Sequence, residues 1–187
     1  QDINVWCEDR LDLLVNNAAI SGRKSLASMT LEAWTNVFNV NVTMAMLLTQ
    51  NLRHSLKAAQ GAVVNIGSIY GGNMMVPAST AYSVSKCALA ALTKLNAFEM
   101  AEYKVRVNCV QPGYVWTNFG RDIPRAEVEN FFTKFAPSVT PLGRIGTTKD
   151  IVDVIMFLGD KEKSSWITGQ CITVDGGTSM INAVSKL

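Results

Sequence analysis

Gly61-Ala62-Val63-Val64-Asn65-Ile66-Gly67-Ser68 decides the fold: a short, almost wholly apolar run stopped by small residues. A strand with one face in water alternates apolar and polar side chains. A run that is apolar on both faces belongs to a strand covered on both sides. Leu11-Asp12-Leu13-Leu14-Val15 is a similar run ending in Asn16-Asn17-Ala18-Ala19. Val105-Arg106-Val107-Asn108-Cys109-Val110 is another, stopped by Pro112-Gly113, and Ile172-Thr173-Val174 precedes Asp175-Gly176-Gly177.

Helical patterns separate these strands. Thr30 is an N-cap candidate before Leu31-Glu32-Ala33-Trp34, and apolar residues continue at helical spacing through Phe38, Val42 and Met46 to Leu56, with Gly61 closing the helix. A second helix is expected from near Thr80 to about Tyr103, and a third, capped by Thr148, from Asp150 to Leu158. Residues 118–141 carry mixed signals, with a helical stretch from Ala126 to Phe135 between prolines, and read as an irregular lid over the substrate. Strands alternating with helices specify an α/β fold, a doubly wound parallel sheet with helices on both faces. Ligands of such sheets bind beyond the carboxyl ends of the strands. Asn16-Asn17, Ser68 and Pro112-Gly113 all fall at such an end.

Composition narrows the classes. The chain has 187 residues, 48% hydrophobic and 17% charged, which favours one compact, well-buried domain and suits an oligomer. A formal charge of +2 without a basic run argues against a nucleic-acid or acidic-membrane partner. No apolar run reaches the roughly 18 residues of a membrane span, and Gln1-Asp2-Ile3-Asn4 does not read as a signal peptide. Cys7, Cys87, Cys109 and Cys171 are widely spaced and form no CxxC pair, so reduced thiols in a cytoplasmic protein are expected. No metal is expected, because His54 is the single histidine and no ligand cluster surrounds it; it reads as a solvated surface residue.

Tyr82 and Lys86 stand four apart at the start of a helix and so share one face. A tyrosine with a pKa of roughly 10 is a poor acid or base at neutral pH, and a neighbouring ammonium pulls that value down. Alone, the pair is that of an ordinary solvated helix face. Ser68, just past a strand, adds a hydroxyl able to donate to a carbonyl oxygen and to touch Tyr82. Its structural alternative is a turn former. Asn41 sits in the middle of an apolar helix, where asparagine is poorly suited. It is either a core residue tied to backbone or the holder of a water that feeds protons toward Lys86.

On these residues the chain resembles the short-chain dehydrogenase/reductase family of classical type. Asn16-Asn17-Ala18-Ala19 is similar to its NNAG motif, and Asn41, Ser68, Tyr82 and Lys86 match its Asn-Ser-Tyr-Lys tetrad in order and approximate spacing. Ala81-Tyr82-Ser83-Val84-Ser85-Lys86 fits its YxxxK signature, Arg106-Val107-Asn108 its RVN strand, and Pro112-Gly113-Tyr114-Val115-Trp116-Thr117 its PGxVxT loop. Leu142-Gly143-Arg144, Phe157-Leu158 and Ile167-Thr168-Gly169-Gln170 through Gly177 complete the pattern, which runs from Leu11 to Gly177.

The resemblance implies roles. Tyr82 would protonate the carbonyl oxygen in reduction or act as base in oxidation. Lys86 would lower its pKa and hold the nicotinamide ribose, Ser68 would orient the substrate carbonyl, and Asn41 would keep a relay water. Asn17 and Ala18 would lie near the adenosine, while Pro112, Gly113, Val115 and Thr117 would meet the carboxamide and pyrophosphate. The implied cofactor is NADP(H) by preference, with NAD(H) the alternative, and the substrate a small ketone, dicarbonyl or sugar. Thr30-Leu31-Glu32-Ala33-Trp34 and the Gly61–Ile66 run are similar to the dicarbonyl/L-xylulose reductase and tetrameric carbonyl reductase branch, implying a homodimer or homotetramer.

The family's TGxxxGIG turn, and the residue after it that selects NAD or NADP, have no counterpart. The resemblance therefore implies a Rossmann-like sheet lacking its N-terminal strands and glycine-rich loop. Residues 1–187 would be the C-terminal catalytic portion of one domain, in a partial or processed chain. That arrangement would leave the Leu11–Val15 edge open, an aggregation hazard. The competing reading is a non-catalytic truncated member that serves as an oligomer-forming scaffold.

Overall fold

The computed structural model describes residues 9–117 and 125–181. Four parallel strands lie in the order β1-β2-β3-β4: β1 is Leu13–Asn16, β2 Ala62–Ile66, β3 Arg106–Pro112 and β4 Cys171–Val174. Registers run Leu13 to Ala62, Ala62 to Arg106 and Cys109 to Cys171, so the strand ends line up along one rim. The α/β doubly wound expectation holds.

Successive residues of β2 explain why both faces are apolar. Val63 joins a core with Leu52, Leu56, Ala97, Met100, Val105 and Val107, while Val64 joins one on the opposite face with Val110, Ile151 and Leu158. Both valines are fully buried. Period-two alternation sends them to opposite sides, and each side has its own helices.

Between β1 and β2 the expected single helix is divided. Thr30 caps α1, Leu31–Phe38, with its hydroxyl accepting from the Ala33 amide at 3.2 Å. A wide π-type turn, Asn39–Thr43, follows, then α2, Met44–Asn51, and after a break at Leu52, α3, Arg53–Ala59. The apolar spacing crosses both interruptions unbroken, which is why periodicity alone merges the segments. At the C-terminal end, Gln60 and not Gly61 adopts the left-handed conformation (φ 50°, ψ 45°). Gly61 is small because a Cβ there would collide with the Leu11 and Asp12 carbonyls.

The helix α4, Thr80–Met100, extended by a tight turn Ala101–Tyr103, crosses from β2 to β3 as expected. In the lid region, residues 118–124 lie outside the described residues. The remainder forms α5, Arg125–Asn130, a wide turn Phe131–Phe135 and α6, Ala136–Ser138. The helix α7, Thr148–Gly159, is capped by Thr147, one residue before the expected Thr148, because Asp150 returns the bond to the Thr147 amide at 2.7 Å and completes a capping box. A short α8, Lys161–Ser164, precedes β4. His54 is exposed, as read. No helix among the described residues is long and apolar enough to cross a membrane, and no cluster of metal-ligating residues occurs among them.

Candidate active site

Ser68, Tyr82 and Lys86 meet above the carboxyl end of β2. Ser68 sits two residues past the strand, in a turn where its hydroxyl accepts from the Tyr70 amide at 3.1 Å. The same hydroxyl lies close enough to the Tyr82 side chain to favour its phenolate. The turn is held against β3 by Gly67 N–H donating to the Val110 carbonyl at 2.7 Å and Ile69 N–H to that of Pro112 at 3.1 Å. Tyr82 and Lys86, one helical turn apart on α4, face the same way: the Lys86 Nζ lies 5.7 Å from the centre of the Tyr82 ring.

The electrostatics follow from burial. Lys86 is 2% exposed and donates to the Ile66 carbonyl at 2.6 Å. Burial pulls its ammonium down to about 8, opposed only in part by the nearby Cys109. Burial also pushes the Tyr82 phenol above its ordinary value, and the neighbouring Ser68 hydroxyl acts in the opposite direction. The downward pull of Lys86 on Tyr82 expected from their spacing does not dominate. In the chain by itself desolvation of the phenolate is the larger effect.

Asn41, 1% exposed, lies inside the wide turn between α1 and α2. Its Oδ1 accepts from Ile20 N–H at 2.9 Å, and its Nδ2 donates to the Ile20 carbonyl and to Ser85 Oγ, each at 3.0 Å. Ser85 Oγ in turn donates to the Tyr82 carbonyl at 2.7 Å. Asn41 thus ties the loop after β1 to the helical turn that carries Tyr82 and Lys86, and the odd helix geometry is what places an amide there.

Asn17 and Ala18 are exposed at the end of β1. Pro112 ends β3, and Gly113 donates to the Val174 carbonyl at 3.0 Å; a Cβ on Gly113 would strike Asp175. Val115 is bridged to Gly146 and half-buried, and Thr117 is exposed. These residues line the same rim as the tetrad. None of residues 16–20 or 112–117 is acidic. The neighbouring carboxylate, Asp175, already accepts from the Gly177 and Ser179 amides at 2.9 and 2.7 Å. Amides and hydroxyls without a free carboxylate fit an anionic dinucleotide.

A family model described as Enoyl-(Acyl carrier protein) reductase matches residues 3–179. The chain belongs to the short-chain dehydrogenase/reductase family. Among its relatives, the 3-oxoacyl-(acyl-carrier-protein) reductase FabG of Thermotoga maritima is 37% identical over 171 residues, 90% of this chain. The chain spans 66% of that relative's length. A short-chain dehydrogenase/reductase of unknown function from Caenorhabditis elegans, solved with cofactor, superposes with a TM-score of 0.91 at 29% identity, over 99% of this chain and 72% of that one. A gluconate 5-dehydrogenase from Burkholderia cenocepacia, in complex with NADP and tartrate, gives 0.84 at 28% identity, over 92% and 66%.

Several residues of this family member were not visible as site residues in the sequence. Tyr70 stands edge-on to both Tyr82 and Tyr114, with ring centres 6.4 Å apart in each case, and its hydroxyl donates to that of Tyr114 at 3.4 Å. Tyr114 meets Phe131, and Trp116 meets Phe132, so the segment at residues 131–132 touches the Pro112–Thr117 loop. A tyrosine two residues after Ser68 carries no periodic signal; only its place in the turn gives it meaning. Beneath the rim, Asn16 Nδ2 donates to Asn65 Oδ1 at 2.8 Å and Asn65 Nδ2 to Thr93 Oγ1 at 2.9 Å. This buried ladder explains the polar residue inside the β2 run.

Proposed function

We propose that the intact protein is a nicotinamide-dependent oxidoreductase that reduces a carbonyl group, or oxidises the corresponding alcohol, with Tyr82 as the acid or base. The observation that carries this reading is buried Lys86 on the same helical face as Tyr82, its Nζ 5.7 Å from the ring centre, with the Ser68 hydroxyl beside that tyrosine. Ser68 donates to the substrate carbonyl and aligns it, and Tyr82 delivers the proton to that oxygen as it becomes an alkoxide. Lys86 holds ribose hydroxyls and, once a dinucleotide lies beside it, favours the phenolate form that Tyr82 takes after donating. Asn41 anchors the turn under Tyr82 and keeps a water that resupplies the proton. Asn17 and Ala18 meet the adenosine portion, and Pro112, Gly113, Val115 and Thr117 the nicotinamide side. The cofactor supplies the hydride.

NADP(H) is the preferred partner and NAD(H) the alternative. The wall formed by Tyr70, Tyr114 and Phe131 suits a small ketone, dicarbonyl or sugar, of the kind the dicarbonyl and L-xylulose reductase branch handles, with residues 118–141 as the lid. The enzyme acts as a homodimer or homotetramer, a reading supported by the apolar outer face of α4, where Leu95 and Phe98 are 61% and 85% exposed.

The test is a fluorescence titration of the natural protein with NADPH and NADH, followed by turnover of a dicarbonyl, a ketose and a 3-oxoacyl thioester. Expected are NADPH binding and reduction of at least one carbonyl. Tyr82→Phe should lower kcat by about 10²- to 10⁴-fold while nucleotide binding persists. Binding of neither nucleotide would leave the scaffold reading in its place.

A further inference from the structure

Cys109 and Cys171 play no part in the chemistry above, yet they are directly opposed on neighbouring strands, as register partners of β3 and β4. As register partners on parallel strands, their side chains leave the same face of the sheet, and the Cys109 thiol donates to the Val110 carbonyl at 3.7 Å. Cys109 is fully buried and Cys171 half-buried, so one thiol of the pair can meet a small solute and the other is shielded behind it. We propose that Cys109 and Cys171 form a peroxide-sensitive dithiol, closing a reversible disulfide across β3 and β4 that displaces the Gly67-Ser68 turn.

Adjacent strands run about 4.8 Å apart, inside the roughly 4.4–6.8 Å range of Cα separations that disulfides span. Side chains of register partners leave the sheet side by side, so their Cβ atoms start farther apart than the mean of about 3.8 Å in relaxed disulfides. The bond therefore forms only by drawing the two side chains together, and a bond held that way is easily reduced. The neighbouring Cys109 thiol and the charge of Lys94 pull the Cys171 thiol down to about 7, while its neighbour Cys171 and burial push Cys109 up. Cys171 is thus the attacking thiol and Cys109 the resolving one.

The chemistry balances with hydrogen peroxide as oxidant. The Cys171 thiolate attacks one peroxide oxygen, the O–O bond breaks, and hydroxide leaves, giving a sulfenic acid. Cys109 loses its proton to that hydroxide and attacks the Cys171 sulfur. The S–S bond forms, the S–O bond breaks, and the departing hydroxide takes up a proton as water. Two thiols lose two electrons, and peroxide becomes two waters.

The link to the active site is contact. A Cβ placed on Gly67 would lie 2.7 Å from the Cys109 Sγ, so this thiol rests on the backbone just before Ser68. Pulling the sulfur toward Cys171 removes that support. A misplacement on the order of 1 Å at a positioning residue costs about 100-fold in rate, so turnover should fall about tenfold or more in the oxidised protein. The bond itself is independent of the reductase reading; only its effect on turnover rests on it.

The experiment treats the full natural protein with hydrogen peroxide, blocks free thiols and maps the non-reduced peptides. Expected are a peptide pair joined through Cys109 and Cys171 and a loss of about 2 Da, both reversed by dithiothreitol along with turnover. Cys171→Ser should keep basal turnover in the reduced state and abolish both the linked peptide and the inhibition. Cys87→Ser should change neither. Cys171 remaining a free thiol, stopping at a sulfinic acid, or pairing with Cys87 or Cys7 would overturn the proposal. A linked pair with unchanged turnover would overturn its action on Ser68. A linked pair in a reduced protein that never turned over would count against the reductase reading and leave the dithiol standing.

Discussion

Lys86 is held as a buried ammonium at a cost to folding. Its side chain is 2% exposed and, among the described residues, donates to one carbonyl, that of Ile66, and burial pulls its ammonium down to about 8 from an ordinary 10.5. Below pH 8 both folded and unfolded chains carry the charge, and the folded state bears a penalty of about 3 kcal/mol. Between 8 and 10.5 the unfolded chain binds more protons, so stability rises with pH, and the penalty is gone above that range. Lys86→Met should therefore unfold in urea at a free energy about 1–3 kcal/mol higher than wild type at pH 7, with turnover lost. The gap between the two should close from pH 8 to 10. A wild-type stability that falls through this window relative to the variant would contradict the burial argument. The grouping of Ser68, Tyr82 and Lys86 was legible as residue types at set spacings, because Tyr82 and Lys86 lie on one helix and Ser68 lies just past a strand. Tyr70, Tyr114 and Ser85 were not, since each owes its place to a turn or to a partner more than 40 positions away.

At the scale of elements, Arg106 joins the end of α7 to the start of β3. Its Nη1 donates to the Leu158 carbonyl at 2.7 Å and to Ser164 Oγ at 2.8 Å, and its Nη2 to the Gly159 carbonyl at 3.4 Å. The side chain is 7% exposed and satisfies carbonyls that the end of a helix leaves without partners. Two residues on, Asn108 Nδ2 donates to the Ile167 carbonyl and its Oδ1 accepts from the Gln170 amide. The polar members of the Arg106-Val107-Asn108 run are thus clasps for the segment leading to β4. Arg106→Ala should lower unfolding free energy by about 3 kcal/mol in urea, with nucleotide affinity little changed, because the clasp lies at the opposite end of the strand from Pro112-Gly113. A loss below about 1 kcal/mol would mean that the carbonyls find other partners. Strands β1 to β4 were readable to within two residues because each is an apolar run ended by small residues. The breaks at Asn39–Thr43 and Leu52 were not, since the apolar spacing passes through both.

At the scale of the whole molecule, α4 has two faces of opposite kind of contact. Ala81, Ser85, Leu89, Thr93, Ala97 and Met100 are buried toward the sheet, while Val84, Leu95 and Phe98 stand out of it at 43%, 61% and 85% exposure. Positions 84, 88, 91, 95 and 98 form one stripe at helical spacing, so the exposed side chains lie along a line and not at random. In a symmetric pair the same stripe is used twice, and each Phe98 covered is worth about 2 kcal/mol. The fold alone foretold neither face: alternation of strands and helices sets the order of the sheet, but says nothing of what covers the outside of a crossover helix. Phe98→Glu should therefore place two charges in one seam and shift the natural protein toward the monomer mass in sedimentation equilibrium. Leu95→Glu should do the same more weakly, because less of that side chain is open to a partner. Turnover at dilution should fall with the shift if α4 must be braced from outside to hold Tyr82 and Lys86 in place. A wild-type protein that sediments as a monomer, or a Phe98→Glu variant with unaltered mass, would remove α4 from the assembly and leave its stripe as surface.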